Sequence, residues 1–250
     1  MPRFFIESVV PPSAITLTLD GDDTHHICQV LRLKVGDEID VSDDHHTLHR
    51  CRIERLPDRG ERLFVRILDR RPSDGEPPYR ITLYQGLPKG DKMSTIIRMA
   101  VELGVTRVVP VIARRSVAKP DEKKMANRLQ RWRRVAEAAA KQCGRGRIPD
   151  IQDFRTVREA IDELTDQVDG LIFVPYEGED SVSLKALLQG EDLPRHIAFF
   201  IGPEGGFAGS EIADLQAAGW RTVTLGPRIL RTETAAANVL SMLSYHFELA

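Results

Sequence analysis

The chain has 250 residues, 42% hydrophobic and 29% charged, a balance that excludes a disordered tail, a collagen-like repeat or a coiled coil. Its longest apolar stretches, such as His196–Ile201, fall far short of the roughly 20 residues that a membrane-crossing helix needs. The net charge of −2 hides a sharp asymmetry: 12 Lys and Arg stand against 15 Asp and Glu in residues 1–80, 16 against 6 in 81–150, and 7 against 16 in 151–250. A middle block near +10 is the footprint of a surface that meets phosphates, with a merely solvated basic helix face as the plainer alternative. The opening MPRFFIESVVPPS has no small-residue cleavage site, so a secretory leader is not expected. Three cysteines without a CxxC pattern point to a reducing cytoplasm.

Residues 1–70 carry short alternating runs. Arg3–Glu7, Ala14–Leu19, Glu38–Val41, Leu48–Ile53 and Arg62–Leu68 read as strands, punctuated by Gly21, Gly36 and Gly60. One helical piece is expected from Asp23 to Arg32, with Ile27, Val30 and Leu31 at helical spacing. This many short strands suggest a small β-barrel. Asp69–Tyr79, rich in proline and without periodicity, reads as a linker.

After Arg80 the rhythm changes to strands alternating with helices. Strands are predicted at Ile81–Gln85, Arg107–Ala113, Ile148–Gln152, Gly170–Val174, His196–Ile201 and Thr222–Leu225. Helices are predicted at Asp91–Leu103, Asp121–Cys143, Thr156–Leu164, Ser183–Leu188, Ser210–Ala218 and about Thr234 to Phe247, with Gly104 and Gly219 as helix terminators. Such alternation argues for a parallel sheet covered on both faces.

Two loops stand out. Gly202-Pro203-Glu204-Gly205-Gly206-Phe207 follows the buried strand ending at Ile201, where glycines let backbone approach a ligand at the carboxyl edge of a parallel sheet. It is neither GxGxxG nor a P-loop, and an ordinary strand-to-helix turn explains it equally well. The second loop, Leu225 to Ala235, reads LGPRILRTETA. Capping by Thr232 or Thr234 accounts for its polar residues, but not for Ile229 and Leu230 in a loop, which suggest a lined pocket. The histidines His25, His26, His45, His46 and His49 lack paired ligands at zinc spacing, so no metal is expected. The cysteines have no partner that would mark a nucleophile.

Together, GPEGGF and LGPRILRTETA resemble the RsmE family of SPOUT methyltransferases. The likeness extends over Arg3-Phe4-Phe5, His25-His26, Val30 to Leu33, Gly36-Asp37, Lys89-Gly90-Asp91, Glu102 to Val105, Arg114 to Ser116, and Gln142 to Arg145. A departure lies at Asp43–Leu48, where the family has a glycine-containing hairpin, and Cys143 stands where serine is expected. The resemblance implies an α/β protein with a PUA-like RNA-binding barrel at 1–70, a linker at 71–80, and a SPOUT domain with a trefoil knot at 81–250. It also implies a homodimer that methylates N3 of a uridine in small-subunit (16S) ribosomal RNA, using S-adenosylmethionine.

On that reading the cofactor lies in a cleft between Gly202, Pro203, Glu204 and Gly205 on one side and Leu225, Gly226, Arg228, Ile229 and Leu230 on the other. Val174 and Tyr176 would form a third wall, and Thr234 and Ala235 would also bind the cofactor. Arg231 is expected to stabilise the developing uracil anion or hold its carbonyl oxygen. Glu233 would be the base, or would orient Arg231 by a charge-assisted hydrogen bond; both stay open. Arg3, Arg32, Lys89, Arg114 and Arg145 are the expected RNA contacts. Two rivals share these features: a SPOUT enzyme acting on the ribose 2′-hydroxyl, and a non-catalytic RNA-binding assembly factor.

Overall fold

A computed structural model describes residues 1–43, 47–57, 62–73, 75–116, 122–165 and 170–249. His45, His46, Gly60 and the centre of the Asp43–Leu48 turn lie outside the described residues. Two compact units emerge: Met1–Glu76 with Ala140–Ile148, and Pro77–Ala139 with Pro149–Ala250.

The first unit is built on β1 (Arg3–Phe5), β2 (Thr16–Leu19), β3 (Glu38–Ser42), β4 (Thr47–Arg55) and β5 (Leu63–Pro72), in the order β1-β3-β4-β5-β2. β1 runs parallel to β3 and the other pairs are antiparallel. In β4 the two-residue period turns Cys51 and Ile53 inward and Arg50 and Arg52 outward. The inward set joins Phe4, Leu19, Ile27, Ile39, Val41, Leu63 and Val65 in one core.

The single helix expected over 23–32 is instead a short helix α1 (Gly21–His25) continued by a wider π-type turn, His26–Val30. Leu31 N–H donates to the His26 carbonyl at 2.9 Å, which closes that turn. Only Ile27 in the turn is buried, so a regular helix would have no second apolar row to pack here. Arg32 then takes φ +52°, the one non-glycine residue in the left-handed region among the described residues. That conformation is unfavourable for an L-residue with a side chain.

Residues 140–148 belong to this unit through polar contacts that periodicity does not encode. The Arg3 guanidinium donates to the carbonyls of Gly144 and Arg145, and Ser42 Oγ donates to the Gly146 carbonyl at 2.6 Å. Arg145 grips Glu76 with Nε at 2.8 Å and Nη2 at 2.7 Å, while Gly146 N–H donates to the same carboxylate at 2.9 Å.

The second unit carries a parallel sheet in the order β12-β10-β11-β6-β7-β8. Its strands are β6 (Arg80–Gly86), β7 (Arg107–Ile112), β8 (Asp150–Ile151), β10 (Leu171–Pro175), β11 (His196–Ile201) and β12 (Arg221–Val223), with β9 (Arg155–Thr156) paired to β7. Its helices are α2 (Lys92–Glu102), α3 (Glu122–Cys143), α4 (Val157–Thr165), α5 (Leu184–Gln189), α6 (Gly209–Ala217) and α7 (Thr232–Phe247), α3 ending among residues of the first unit. The predicted alternation is met throughout, and Gly104 and Gly219 take φ +91° and +88° after α2 and α6.

Both sheet faces are covered, as near-continuous apolar strands require. Phe199 and Phe200 point to opposite faces. Phe199 stacks on Phe173, whereas Phe200 stacks on Tyr84 at 4.7 Å and meets Trp220 edge-on at 4.7 Å. α7 packs against α2 and β11. The carboxyl ends of β6, β10, β11 and β12 therefore share one edge, and the conspicuous loops leave from there.

Candidate active site

At that edge a cavity of about 810 Å³ opens within the second unit. Three connections wall it: Pro175–Asp180 after β10, Ile201–Phe207 after β11, and Thr224–Ala235 leading from β12 into α7, with Lys92 at the start of α2 as a fourth contributor. Ligands bind at this edge of parallel sheets because strands end there and helix starts present free N–H groups.

Tight backbone packing shapes the walls. A Cβ on Gly86 would stand 2.5 Å from Pro203 Cδ, and one on Gly202 would stand 3.2 Å from Gly206 Cα. Only glycine fits the first position, and only glycine spares the second a local shift. Gly206 and Gly226 take φ +65° and +106°, turning the chain back toward the cavity.

A buried relay then fixes one wall against another. Gln85, near the carboxyl end of β6, is fully buried and donates from Nε2 to the Gly86 carbonyl and to Thr232 Oγ1, each at 2.9 Å. Thr232 Oγ1 donates onward to the Gly202 carbonyl at 2.7 Å. One amide and one hydroxyl so hold the end of β6, the glycine loop and the first turn of α7 together.

The charged groups form a second layer. Lys92 Nζ lies 3.0 Å from Glu204 Oε1 and 3.6 Å from Glu233 Oε2, and the Lys89 backbone N–H donates to both Glu204 oxygens at 3.1 and 3.2 Å. Burial draws the Glu204 carboxyl upward, but the Lys92 hydrogen bond and nearby backbone N–H groups outweigh it and leave the group below its ordinary value. In the β10 loop Glu179 accepts from the Ser181 hydroxyl, from Thr222 Oγ1 at 2.7 Å, and from the N–H groups of Ser181 and Val182. These donors hold its pKa down at about 2 and fasten the loop.

Most of the residues singled out in the sequence meet here. Tyr176, Gly202, Pro203, Glu204, Leu225, Gly226, Arg228, Ile229, Leu230, Arg231 and Ala235 line the cavity. Val174 is instead fully buried in the sheet, Gly205 points outside and receives Arg115 Nη1 on its carbonyl at 3.0 Å, and Thr234 is exposed off the wall. Arg231 occupies the N-cap of α7, and its carbonyl accepts from Ala235 N–H at 2.8 Å. Of the two roles open to Glu233, orientation of Arg231 by a hydrogen bond is not seen: Glu233 turns to Lys92, and its Oε2 is buried without a hydrogen bond. The helix start separates the two side chains, because Arg231 leaves from the cap and Glu233 from the first turn.

The proposed RNA contacts divide. Arg32, Lys89 and Arg114 are exposed. Arg3 is half-buried and bonded to backbone carbonyls. Arg145 is a correction. Its side chain is 3% exposed and committed to Glu76, so it is a structural ion pair and not a surface phosphate contact. Gln85, Thr232 and Lys92 were missed as site residues. For Lys92 the signal was a lysine at a helix start, where the dipole disfavours it.

Among the described residues no group of three or more His, Cys, Asp or Glu side chains is placed to hold a metal, and no helix is long and apolar enough to cross a membrane.

A family model described as RNA methyltransferase domain matches residues 75–244, and one described as RNA methyltransferase PUA domain matches residues 19–64. Among curated proteins, ribosomal RNA small subunit methyltransferase E of Bacillus subtilis is 32% identical over 256 residues, covering 100% of this chain and 98% of that protein. Its namesake from Mycobacterium bovis is 32% identical over 95% of this chain and 88% of its own length. A crystal structure of the Neisseria gonorrhoeae protein of the same name, bound to S-adenosyl methionine, superposes with a TM-score of 0.85 at 31% identity, covering 98% of this chain and 97% of that one. With both halves of the chain matched in order and the cavity loops carrying the expected residues, this protein belongs to the ribosomal RNA small subunit methyltransferase E family.

Proposed function

We propose that this protein methylates N3 of a uridine in 16S ribosomal RNA, with S-adenosylmethionine as methyl donor. The observation that carries the reading is the convergence of three connections on one cavity of about 810 Å³ at the carboxyl edge of the parallel sheet. The lining suits a cationic, amphoteric cofactor with a flat aromatic end. Leu225, Ile229 and Leu230 offer apolar surface for the base, Glu177, Glu179 and Asp180 offer negative charge, and Arg228 offers a carboxylate partner. When bound, the cofactor supplies a methyl group already activated on sulfur, so the protein need only align the acceptor and manage one proton.

Arg231 carries the chemistry left to the chain. Among the described residues its guanidinium makes no hydrogen bond or ion pair, it lines the cavity, and it is free to stabilise the negative charge left on uracil N3 and its flanking carbonyls as the proton departs to water. Glu233 is kept for positioning, since its inner oxygen faces Lys92. Arg32, Lys89 and Arg114 act as phosphate contacts, and Arg3 supports the backbone at 144–145. The first unit serves as the PUA-like RNA-binding part and the second as the SPOUT part, with Leu225–Ala235 threaded as the knot. The enzyme works in the cytoplasm as a homodimer, for which Tyr245 on α7, 74% exposed, is an apolar group to cover.

The test is incubation of purified protein and labelled cofactor with small subunits lacking the modification, followed by nucleoside mass spectrometry. 3-Methyluridine is the expected product. A 2′-O-methyl nucleoside would transfer the assignment to the ribose, and cofactor binding without methyl transfer would favour an assembly factor.

A further inference from the structure

Lys92 is an odd residue for its place. It is the first residue of α2, where the unpaired N–H groups and the helix dipole make a cation unfavourable. It is nevertheless held there between two carboxylates from two different walls of the cavity: Glu204 of the glycine loop at 3.0 Å, and Glu233 of the first turn of α7 at 3.6 Å. Glu204 is further tied by the Lys89 N–H, so the α2 entry segment grips the glycine loop twice. Glu233 has no equivalent. Its Oε2 is buried and makes no hydrogen bond, so the neighbouring ammonium is what balances its charge.

We infer that Lys92 is a positioning residue, whose charge lets Glu204 and Glu233 stand side by side and thereby sets the gap between the glycine loop and the start of α7. This rests on the cavity being the cofactor site. Without the ammonium, two carboxylates would face each other across that gap, and mutual repulsion would pull the helix start, and with it Arg231, away from the loop. The upward displacement of the Lys92 pKa, chiefly by its hydrogen bond to Glu204, agrees with a cation held by its partners.

The experiment compares Lys92→Met, Lys92→Arg and Lys92→Met/Glu233→Gln in the full-length protein, reading cofactor affinity by calorimetry beside kcat and KM on small subunits. Lys92→Met is expected to lower kcat/KM by about 100-fold, the scale of an ångström-sized misplacement, and to weaken cofactor binding in parallel. Lys92→Arg should recover most of the loss. The double variant should exceed Lys92→Met in both readouts, because removing one carboxylate removes the repulsion. Wild-type affinity and turnover in Lys92→Met, or a double variant no better than the single one, would overturn the inference. Should Lys92→Met alone not fold, the comparison runs between Lys92→Arg and Lys92→Met/Glu233→Gln. A double variant that folds and binds cofactor nearly as well as Lys92→Arg supports charge balance, and one that stays unfolded or binds no cofactor counts against it. If the wild-type protein binds cofactor but never methylates RNA, the functional reading fails while the calorimetric comparison still decides the role of Lys92.

Discussion

Two arginines show how differently the two halves of this molecule use the same side chain. Arg145, in the first unit, is buried and forked onto Glu76, whose Oε1 also receives the N–H of Gly146 and, at 3.3 Å, of Arg147. Arg231, in the second, stands exposed at a helix cap with its guanidinium open to the cavity. Both lie beside glycine or threonine in polar loops, so their immediate neighbours do not tell them apart. What separates them is whether a carboxylate from a distant stretch of chain reaches them. A buried guanidinium must be matched or it destabilises the fold, whereas an unmatched one in a water-accessible cavity is available for a ligand.

The largest effect that would break this contrast lies in stability. Arg145→Ala should leave the half-buried Glu76 without its cation, held only by the Gly146 and Arg147 N–H groups, destabilising the protein by about 3 kcal/mol in chemical denaturation. Replacing Arg145 and Glu76 together with apolar residues should recover much of that loss, and if the double variant is as unstable as the single one, the pair is not acting as a matched unit. Arg231→Ala should do the opposite. Its melting temperature stays near that of the wild type while kcat falls by about 100- to 1,000-fold, the scale seen when one charge-stabilising donor is removed. Wild-type turnover in Arg231→Ala would remove this residue from the chemistry.

A smaller effect tests the relay behind the cavity. Thr232→Val preserves shape but deletes the hydroxyl between Gln85 and the Gly202 carbonyl, leaving a buried amide donor and a carbonyl short of partners. It should cost about 1–3 kcal/mol, read as weaker cofactor binding in calorimetry together with a lower melting temperature, and Thr232→Ser should restore both. The smallest effect sharpens the comparison on the RNA side. Arg114→Ala should reduce the slope of log affinity against log salt by about one unit or slightly less if it touches a phosphate. Any folded Arg145 variant should leave that slope unchanged.

Much of the second unit was legible because its signals are local. The apolar run His196–Ile201 coincides with β11, and the terminators Gly104 and Gly219 sit where positive φ is needed. Of the loop pair, the segment around Ile229 was readable because Ile229 and Leu230 are apolar residues in a polar loop, whereas Gly202–Phe207 by itself fits an ordinary turn. What escaped is non-local. That residues 140–148 join the first unit depends on Arg3 and Ser42 meeting carbonyls more than 100 positions away in the chain. The expected helix at 23–32 broke because periodicity at Ile27, Val30 and Leu31 does not tell whether a partner surface exists, and Val30 and Leu31 prove exposed. α7 begins at Thr232 and not at about Thr234, so the helix absorbs Thr232 and Glu233 and turns the latter to Lys92. That single turn of helix is why the Arg231–Glu233 partnership looked natural in the sequence and is absent from the fold.

The missing side chain at position 86 has an evolutionary and engineering corollary. With Pro203 Cδ only 2.5 Å from where any larger residue would place its first carbon, the seat behind Pro203, itself a wall residue, tolerates no gradation in size. Reshaping this enzyme for bulkier alkyl donors should therefore begin at the open rim, where Ile229 is 87% exposed and can be exchanged without disturbing the wall behind it.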